Sequence, residues 1–412
     1  MPDRSYFILV VTAGIAACGG DTTTTTADVP VQVADSAGVR IVSYAHTPTT
    51  PPVFRLSAEP RYRHGASPGD YAIQEISAGR LLPDGRAVVY DQWNVELVGL
   101  GQDGAPYQVL AAEGEGPGDV GHINALFVPG LDSILAADLN LGRMTLFAGD
   151  SVVRATNVRI PTYLGVKGIG SSGELLLATR WGPSDFDQAW LAGHMVRFDV
   201  RTGAADTVAS YDFMPRIPPG LEWDPIRAVG EVAVANGRFV HVRTDRAEVA
   251  WYLPDGSLIQ IVRWPAEPTL LTERLLEPIE AEHRKSVRMH DPDLPDARVA
   301  EVARANMAAY RASIGRPLPL FSSPLADDEG RVWLPSYQAG GELTAVPPYL
   351  VIGPDGVWLG TVEAPPGFRI LDVAGGLVLG VELDEVDVES VVVYELVDTA
   401  SRRRRPPGRW RL

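Results

Sequence analysis

The apolar residues of this chain fall in short runs, each stopped by a turn rich in Gly, Pro, Asn or Asp. Between residues 85 and 119 the pattern reads GRAVVYD, VELVGL, PYQVLAAE and then the loop GEGPGD. Runs of this kind, separated by turn signals, predict consecutive antiparallel strands. The loop has a counterpart 49 residues earlier, GASPGD at 65–70, and the strand end at Asp91 has one 47 residues later at Asp138. A unit of roughly 40 to 50 residues made only of short strands has the period of a propeller blade. Six units follow one another, at residues 73–113, 123–159, 164–214, 226–264, 321–362 and 370–396. The third carries an insertion at 181–193, and the sixth lacks a fourth strand. The segment 53–63 precedes its GxxPGD loop before any blade is complete. It is expected to pair antiparallel with 388–396, with the neighbouring 38–44 as the other candidate, so that no sheet edge stays open. The fold class expected is all-β: a six-bladed β-propeller whose last blade is closed by an N-terminal strand.

Between the fourth and fifth units the period changes. Leu275, Leu276, Ile279, His283 and Val287 recur at helical spacing, and so do Val299, Val302, Ala303, Met307, Tyr310 and Ile314 beyond the breaker DPDLPD. This predicts a helical hairpin inserted at 269–316, with an apolar stripe wide enough to pack on the propeller and cover a blade edge.

The ends of the chain have another character. Arg4 is followed by an apolar run at 6–11 and then by Ile15-Ala16-Ala17-Cys18-Gly19. That is the charged start, apolar middle and small-residue cleavage site of a signal peptide. It resembles a bacterial lipoprotein signal, in which the Cys becomes the lipidated first residue, and Cys18 is the one cysteine of the chain. The expected division is a signal peptide at 1–17, a flexible tether at 18–37, the propeller at 38–397 and a basic disordered tail at 398–412. The location that follows is the bacterial cell envelope, on its periplasmic face or outer surface, with Cys18 holding the chain to the bilayer.

Charge narrows the partners. The net charge is −16, and removing the six Arg at 402–405, 409 and 411 leaves −22 for the rest. Such a body repels nucleic acid, so no nucleic-acid partner is expected. Lysine is scarce: Lys167 and Lys285 are the only two.

DSAGVRIV (35–42), FRLSAEP (54–60), EGEGPGD (113–119) and GLVLGVELDEVDVESVVVYEL (376–396) resemble the six-bladed β-propeller lipoproteins of environmental bacteria, distant relatives of NHL-type propellers. The likeness spans most of the chain, including the helical insert, and leaves out the tether, the tail and 181–193. It implies the propeller fold. It implies no catalytic residue, because that family carries no agreed activity.

Aligning the units places one residue per blade where the second strand ends: Asp91, Asp138, Arg180, Arg243, Ser336 and Glu382. Loops after second strands and between blades share one face, which should also carry Glu75, His122, Tyr163 and Arg227. A rim half acidic and half basic could grip a zwitterionic or peptide-like ligand. The simpler alternative is that Asp91 and Asp138 bond their own turn amides. Paired acids such as Asp327/Asp328 are expected in solvated turns. GEGPGD has no Lys and no following Ser or Thr, so it reads as a tight inter-blade turn and not as a phosphate loop. No nucleophile elbow appears, and the seven His show no ligand spacing. The function expected is therefore non-enzymatic: a monomeric envelope-anchored module that binds a peptide, glycan or protein partner and needs no cofactor. The alternative is a lactonase- or lyase-type propeller with Ca²⁺ or Zn²⁺ in its central channel, for which Glu75, His122, Asn124, Asp138 and Glu382 are the available donors.

Overall fold

The computed structural model describes residues 31–48, 53–65, 71, 73–149, 151–183, 187–291, 293–338, 348–383 and 388–399. The chain first forms β1 (Val31–Ser36), β2 (Val39–Tyr44), β3 (Phe54–Leu56) and β4 (Tyr62–His64), and then enters the repeat. Blade one is β5 (Ile76–Leu81), β6 (Ala87–Asp91), β7 (Glu96–Leu100) and β8 (Pro106–Ala111). Blade two is β9 (Ile123–Gly130), β10 (Ser133–Asp138), β11 (Arg143–Ala148) and β12 (Ser151–Asn157). Blade three is β13 (Leu164–Ile169), β14 (Leu175–Thr179), β15 (Trp190–Phe198) and β16 (Ala205–Pro215), and blade four is β17 (Gly230–Ala235), β18 (Arg238–Arg243), β19 (Glu248–Tyr252) and β20 (Leu258–Arg263). Helices α1 (Glu273–His290) and α2 (Asp296–Ala312) come next. Blade five is β21 (Leu325–Ala326), β22 (Val332–Pro335), β23 (Tyr349–Ile352) and β24 (Trp358–Val362); blade six is β25 (Phe368–Ala374), β26 (Leu377–Leu383) and β27 (Glu389–Asp398). The inner strands run side by side round the ring, with β25 of the last blade beside β5 of the first. The molecule is a six-bladed β-propeller.

The burial pattern explains why the strands read as they do. The second strands β6, β14 and β22 and the third strand β23 are buried along their whole length, because a neighbouring blade covers each of their faces. A strand covered on both sides needs a continuous apolar run, whereas the outer β12 is exposed almost throughout. One apolar cluster fills each inter-blade interface, and a seventh lies under the helical hairpin.

The loop GEGPGD is a tight inter-blade turn. The Asp119 carboxylate accepts the Gly116 amide at 2.7 Å and lies where a Cβ on Gly114 would sit, 2.3 Å away. Gly118 takes φ +100°, a backbone conformation open to glycine at little cost. From the next blade, Arg143 donates to the carbonyls of Glu115 and Asp119.

Ring closure follows the expected course for 53–57. β3 pairs antiparallel with β27, Leu56 opposite Leu396, and β4 adds a second antiparallel segment, His64 opposite Val391. The other candidate, 38–44, goes elsewhere. β2 runs parallel to β20, with Val42 opposite Val262, and carries β1 outside it, so blade four has six strands. The reason is apolar: Val42 and Tyr44 bury in the cluster between blades four and five, and the Tyr44 hydroxyl accepts the Trp358 amide at 2.8 Å while donating to the Gly356 carbonyl at 3.0 Å. Residues 31–36, expected in a flexible tether, are thus an ordered though fully exposed strand held by β2.

Asp327 also departs from expectation. Rather than facing water it is 6% exposed, and its carboxylate accepts the Arg331 guanidinium at 2.5 Å and the Trp333 indole N–H at 2.8 Å. Arg331 in turn lies over the Phe54 ring, 4.7 Å from its centre, which ties blade five to the closing strand.

Tyr62 of β4 is 5% exposed in the cluster joining blade six to blade one. Tyr62→Ala should cost about 3–5 kcal/mol, as for other buried aromatics, while Val33→Ala on exposed β1 should change stability by less than about 0.5 kcal/mol. Chemical denaturation midpoints of the two variants check the difference. Equal effects would mean that closure through β4 does not support the ring.

Candidate functional site

In an antiparallel blade the register fixes which end of each strand faces which side. Ile76 lies opposite Asp91, so the start of an inner strand and the end of a second strand share one face. The helical hairpin leaves the outer strand of blade four and returns to the inner strand of blade five, which puts it on that face too. Its buried residues Leu276, Ile279, Met307 and Tyr310 pack with Ile226, Leu318 and Tyr337, and Arg316 bridges to Asp224 at 2.6 Å. The stripe expected from the sequence is the one that packs: it rests on the loops that enter blades four and five, and Tyr310 reaches the channel lining.

The six aligned residues all lie at or next to second-strand ends, and most hold the scaffold together. Asp91 is fully buried. It accepts the amides of Gln74 at 2.9 Å and of Trp93 and Asn94 at 3.0 Å, together with the Asn94 side-chain amide at 2.8 Å. Asp138 does the same for Gly121 at 2.6 Å, His122 at 2.8 Å and Leu141 at 2.9 Å. Each carboxylate thus ties its own turn to the entry of the inner strand. In blade four Thr244 takes this part, its hydroxyl accepting the Val229 amide at 2.9 Å, so the matching position is one residue beyond Arg243. Arg243 is clamped between Asp212 at 2.7 Å and Asp245 at 2.6 Å and stacks over Trp190 at 3.9 Å. Glu382 receives the Tyr394 hydroxyl at 2.6 Å and pairs with Arg63 of β4 at 2.5 Å. Ser336 donates to the Pro348 carbonyl at 3.2 Å.

The remaining positions stay more open. Arg180 is exposed and donates to the Thr162 carbonyl at 3.2 Å, Glu75 is exposed beside Gln92, and His122 is half-buried edge-on to Tyr90. Tyr163 is exposed and Arg227 half-buried, both in loops that enter inner strands on this face. Among the described residues one bond joins two of these eight residues (Asp91, Asp138, Arg180, Arg243, Ser336, Glu382, Glu75 and His122), that of the His122 amide to the Asp138 carboxylate, and no three His, Cys, Asp or Glu side chains gather closely enough to hold a metal ion. Cys18 lies outside the described residues.

Two features were not foreseen. The first is that the expected Tyr163 is one of a row of exposed aromatic side chains on the loops of this face: Trp93, Tyr163, Trp181 and Trp223 are 44–68% exposed, and Trp223 meets Tyr310 of the hairpin edge-on at 5.7 Å. Apolar surface gathered on one face marks contact with a partner more often than chance does. The signal in the sequence is an aromatic residue directly in a turn, as in QWN. The second is the central channel, a cavity of about 630 Å³ lined by all six inner strands and covered at the mouth by Tyr310 and Tyr337. Such a volume suits a small-molecule ligand. Four inner strands are bulged where they line it, at Ser77, Asn124, Lys167 and Leu371, each the unpaired extra residue against its partner strand. A bulge re-aims a side chain, and bulges concentrate at binding sites. Nothing in the local sequence announces them.

No protein-family model matches the chain, and no curated protein does. Solved structures match. A member of the DUF4221 family from Bacteroides vulgatus is 12% identical, with 84% of this chain and 98% of that one covered and a TM-score of 0.51. A protein from Bacteroides fragilis is 10% identical over 87% of this chain and 99% of its own, with a TM-score of 0.49. Regucalcin, a calcium-binding protein from Agrobacterium tumefaciens, is 11% identical over 84% and 96%, with a TM-score of 0.41. At these identities the likeness shows the fold alone.

A second, smaller cavity of about 160 Å³ lies between blades three and four beside Asp212, Arg243 and His241. Burial, aided by the positive charge of Arg243, pushes the His241 imidazole down to about 4. The unfolded chain binds this proton near pH 6.5, so between pH 6.5 and 4 acid favours unfolding, and the group costs nothing above that window. Stability should therefore fall by up to about 3 kcal/mol on going from pH 7 to pH 4 through this residue. His241→Gln should flatten that part of the profile in denaturation measurements at pH 4, 5.5 and 7. An unchanged slope would mean that His241 is not the titrating group.

Proposed function

We propose that this protein is an envelope-anchored β-propeller that binds a peptide, glycan or protein partner on its hairpin-bearing face. The observation that carries the reading is the union, on one face, of the channel mouth with the exposed aromatic side chains Trp93, Tyr163, Trp181 and Trp223. Aromatic rings supply large, rigid contact area at small entropic cost and stack on sugars and peptide planes alike. Of the residues expected on this face from the sequence, Arg180, Glu75 and His122 have surface to offer, while Asp91, Asp138, Arg243, Ser336 and Glu382 serve it indirectly by fixing its loops.

Peptide and glycan arrays probed with the intact protein test this. Binding signals should fall at least tenfold in the Trp93→Ala/Trp181→Ala variant and persist in Leu131→Ala, which alters the 80% exposed Leu131 in the opposite-face turn between β9 and β10. Signals that survive the tryptophan changes and vanish with Leu131 would place binding on the other face.

The anchor belongs to the same proposal. It rests on the apolar run at 6–11 and the sequence Ile15-Ala16-Ala17-Cys18-Gly19. A lipid on Cys18 would hold the propeller at a bilayer through the residues that precede β1, and a second membrane-binding signal would be needed only if a single acyl chain were attached. Mass spectrometry of the protein from membranes should find acylated Cys18 as its first residue, and Cys18→Ser should leave the protein unlipidated. A mature chain starting at any other, unmodified residue would remove the anchor.

A further inference from the structure

Lys167 is one of two lysines in the chain, and it stands in the channel. Val166 pairs with Leu177 and Gly168 with Leu176, so Lys167 is the extra residue of a bulge. It is half-buried, and among the described residues its ammonium has neither a hydrogen bond nor an ion pair. The two other cations lining the channel are already engaged. Arg80 donates to the carbonyls of Gly79 at 2.9 Å and Leu371 at 3.3 Å and lies 3.9 Å from Asp372, and Arg369 donates to the Ile76 carbonyl at 2.8 Å. Three cations against the single carboxylate of Asp372 leave the channel lining at net +2, inside a protein of net charge −16. Burial also raises the Asp372 carboxyl above the usual range, which further weakens the negative side.

We propose that the channel binds an organic carboxylate, its charge received by Lys167 and its apolar body by the walls that Phe127, Val234 and Leu325 form. The assignment rests on the reading of the channel as a ligand site. A partly desolvated lone cation is costly unless an anion joins it, and it attracts one more strongly there than at the surface. One point charge suits a monoanion. A phosphate site would bring several convergent donors to one point, whereas the two guanidinium groups are each held back against the wall by a backbone carbonyl. Ser77, on the bulge of the first blade, offers a hydroxyl along the same lining, and Asn124, whose side-chain oxygen accepts the Leu139 amide at 2.7 Å, offers its amide N–H. With about 630 Å³ available, the body can hold several carbons beyond the carboxylate.

Calorimetric titration of the protein with octanoate, octan-1-ol and inorganic phosphate tests the proposal. Octanoate should bind at least tenfold more tightly than octan-1-ol, and its affinity should fall with added NaCl. Lys167→Met should abolish that preference while leaving octan-1-ol binding unchanged, and Lys167→Arg should restore it. Val234→Trp, which fills the channel, should weaken both probes together. Octan-1-ol binding as tightly as octanoate, or Lys167→Met retaining the preference, would overturn the anion assignment and leave the channel as a neutral site. Phosphate binding that depends on Lys167 and exceeds that of octanoate would also overturn it. Binding of neither organic probe, or binding indifferent to Val234→Trp, would overturn the channel reading itself.

Discussion

Everything in this molecule depends on the ring being closed. A blade whose second and third strands are apolar on both faces cannot stand alone, since each face is covered only by the next blade. The covering of the sixth blade by the first needs strands from both ends of the chain, β27 and β3 with β4. Bringing together residues about 330 positions apart costs about 5 kcal/mol of loop-closure entropy, because that cost grows only logarithmically. Burying Leu56, Tyr62, Val391 and Val393 returns about 1.5–3 kcal/mol apiece. Closure therefore wins, with a margin that depends on those few side chains.

The N-terminal segment does more than close one blade. It starts as the parallel neighbour of β20 on blade four, hydrogen-bonds to blade five through Tyr44 and through Val53, whose amide meets the Leu359 carbonyl at 2.9 Å, and ends paired to blade six. It is a strap over three successive blades. Only its last part was legible in the sequence. The six units, their order and the closing strand follow from period and from the missing fourth strand. The attachment of 39–44 does not, because VRIVSY alternates as any edge strand does, and the choice of edge is made by Val42 and Tyr44 finding a cavity between two distant blades. Asp327 was misread for a similar reason: an acid pair in a turn looks solvated until its partners, Arg331 and Trp333, fold over it.

The candidate site divides along the same line. Strand ends are the positions a repeat alignment finds, and they carry what every blade needs, acceptors for the amides at the entry of the inner strand. A carboxylate that satisfies three or four donors, as Asp91 and Asp138 do, could turn to a ligand only by leaving buried amides unpaired, at about 1–3 kcal/mol each. Arg243 and Glu382 are bound as firmly, one to two aspartates and the other to the closing strand. Positions that differ from blade to blade are the freer ones. The residues carried on the bulges, Ser77, Asn124 and Lys167, and the aromatic turns at Trp93 and Trp181 differ in kind from blade to blade, and for that reason a search for the repeat passes over them.

The helical hairpin joins these two halves. It is inserted where the chain passes from blade four to blade five, so topology alone places it on the face that bears the exposed rings. Its fastening falls on the same sector that the N-terminal strap binds from outside: Ile226, Leu318 and Tyr337 beneath it, and Arg316 on Asp224 at its base. Blades one to three carry Trp93, Tyr163 and Trp181; of the strap and hairpin they receive only Tyr62, which packs against blade one. The propeller is thus braced on one half and left open on the other, and the channel mouth lies at the border, under Tyr310. A ligand entering the channel would pass between the braced rim and the aromatic one. Tyr310 belongs to both, lining the channel on one side and meeting the exposed Trp223 edge-on on the other.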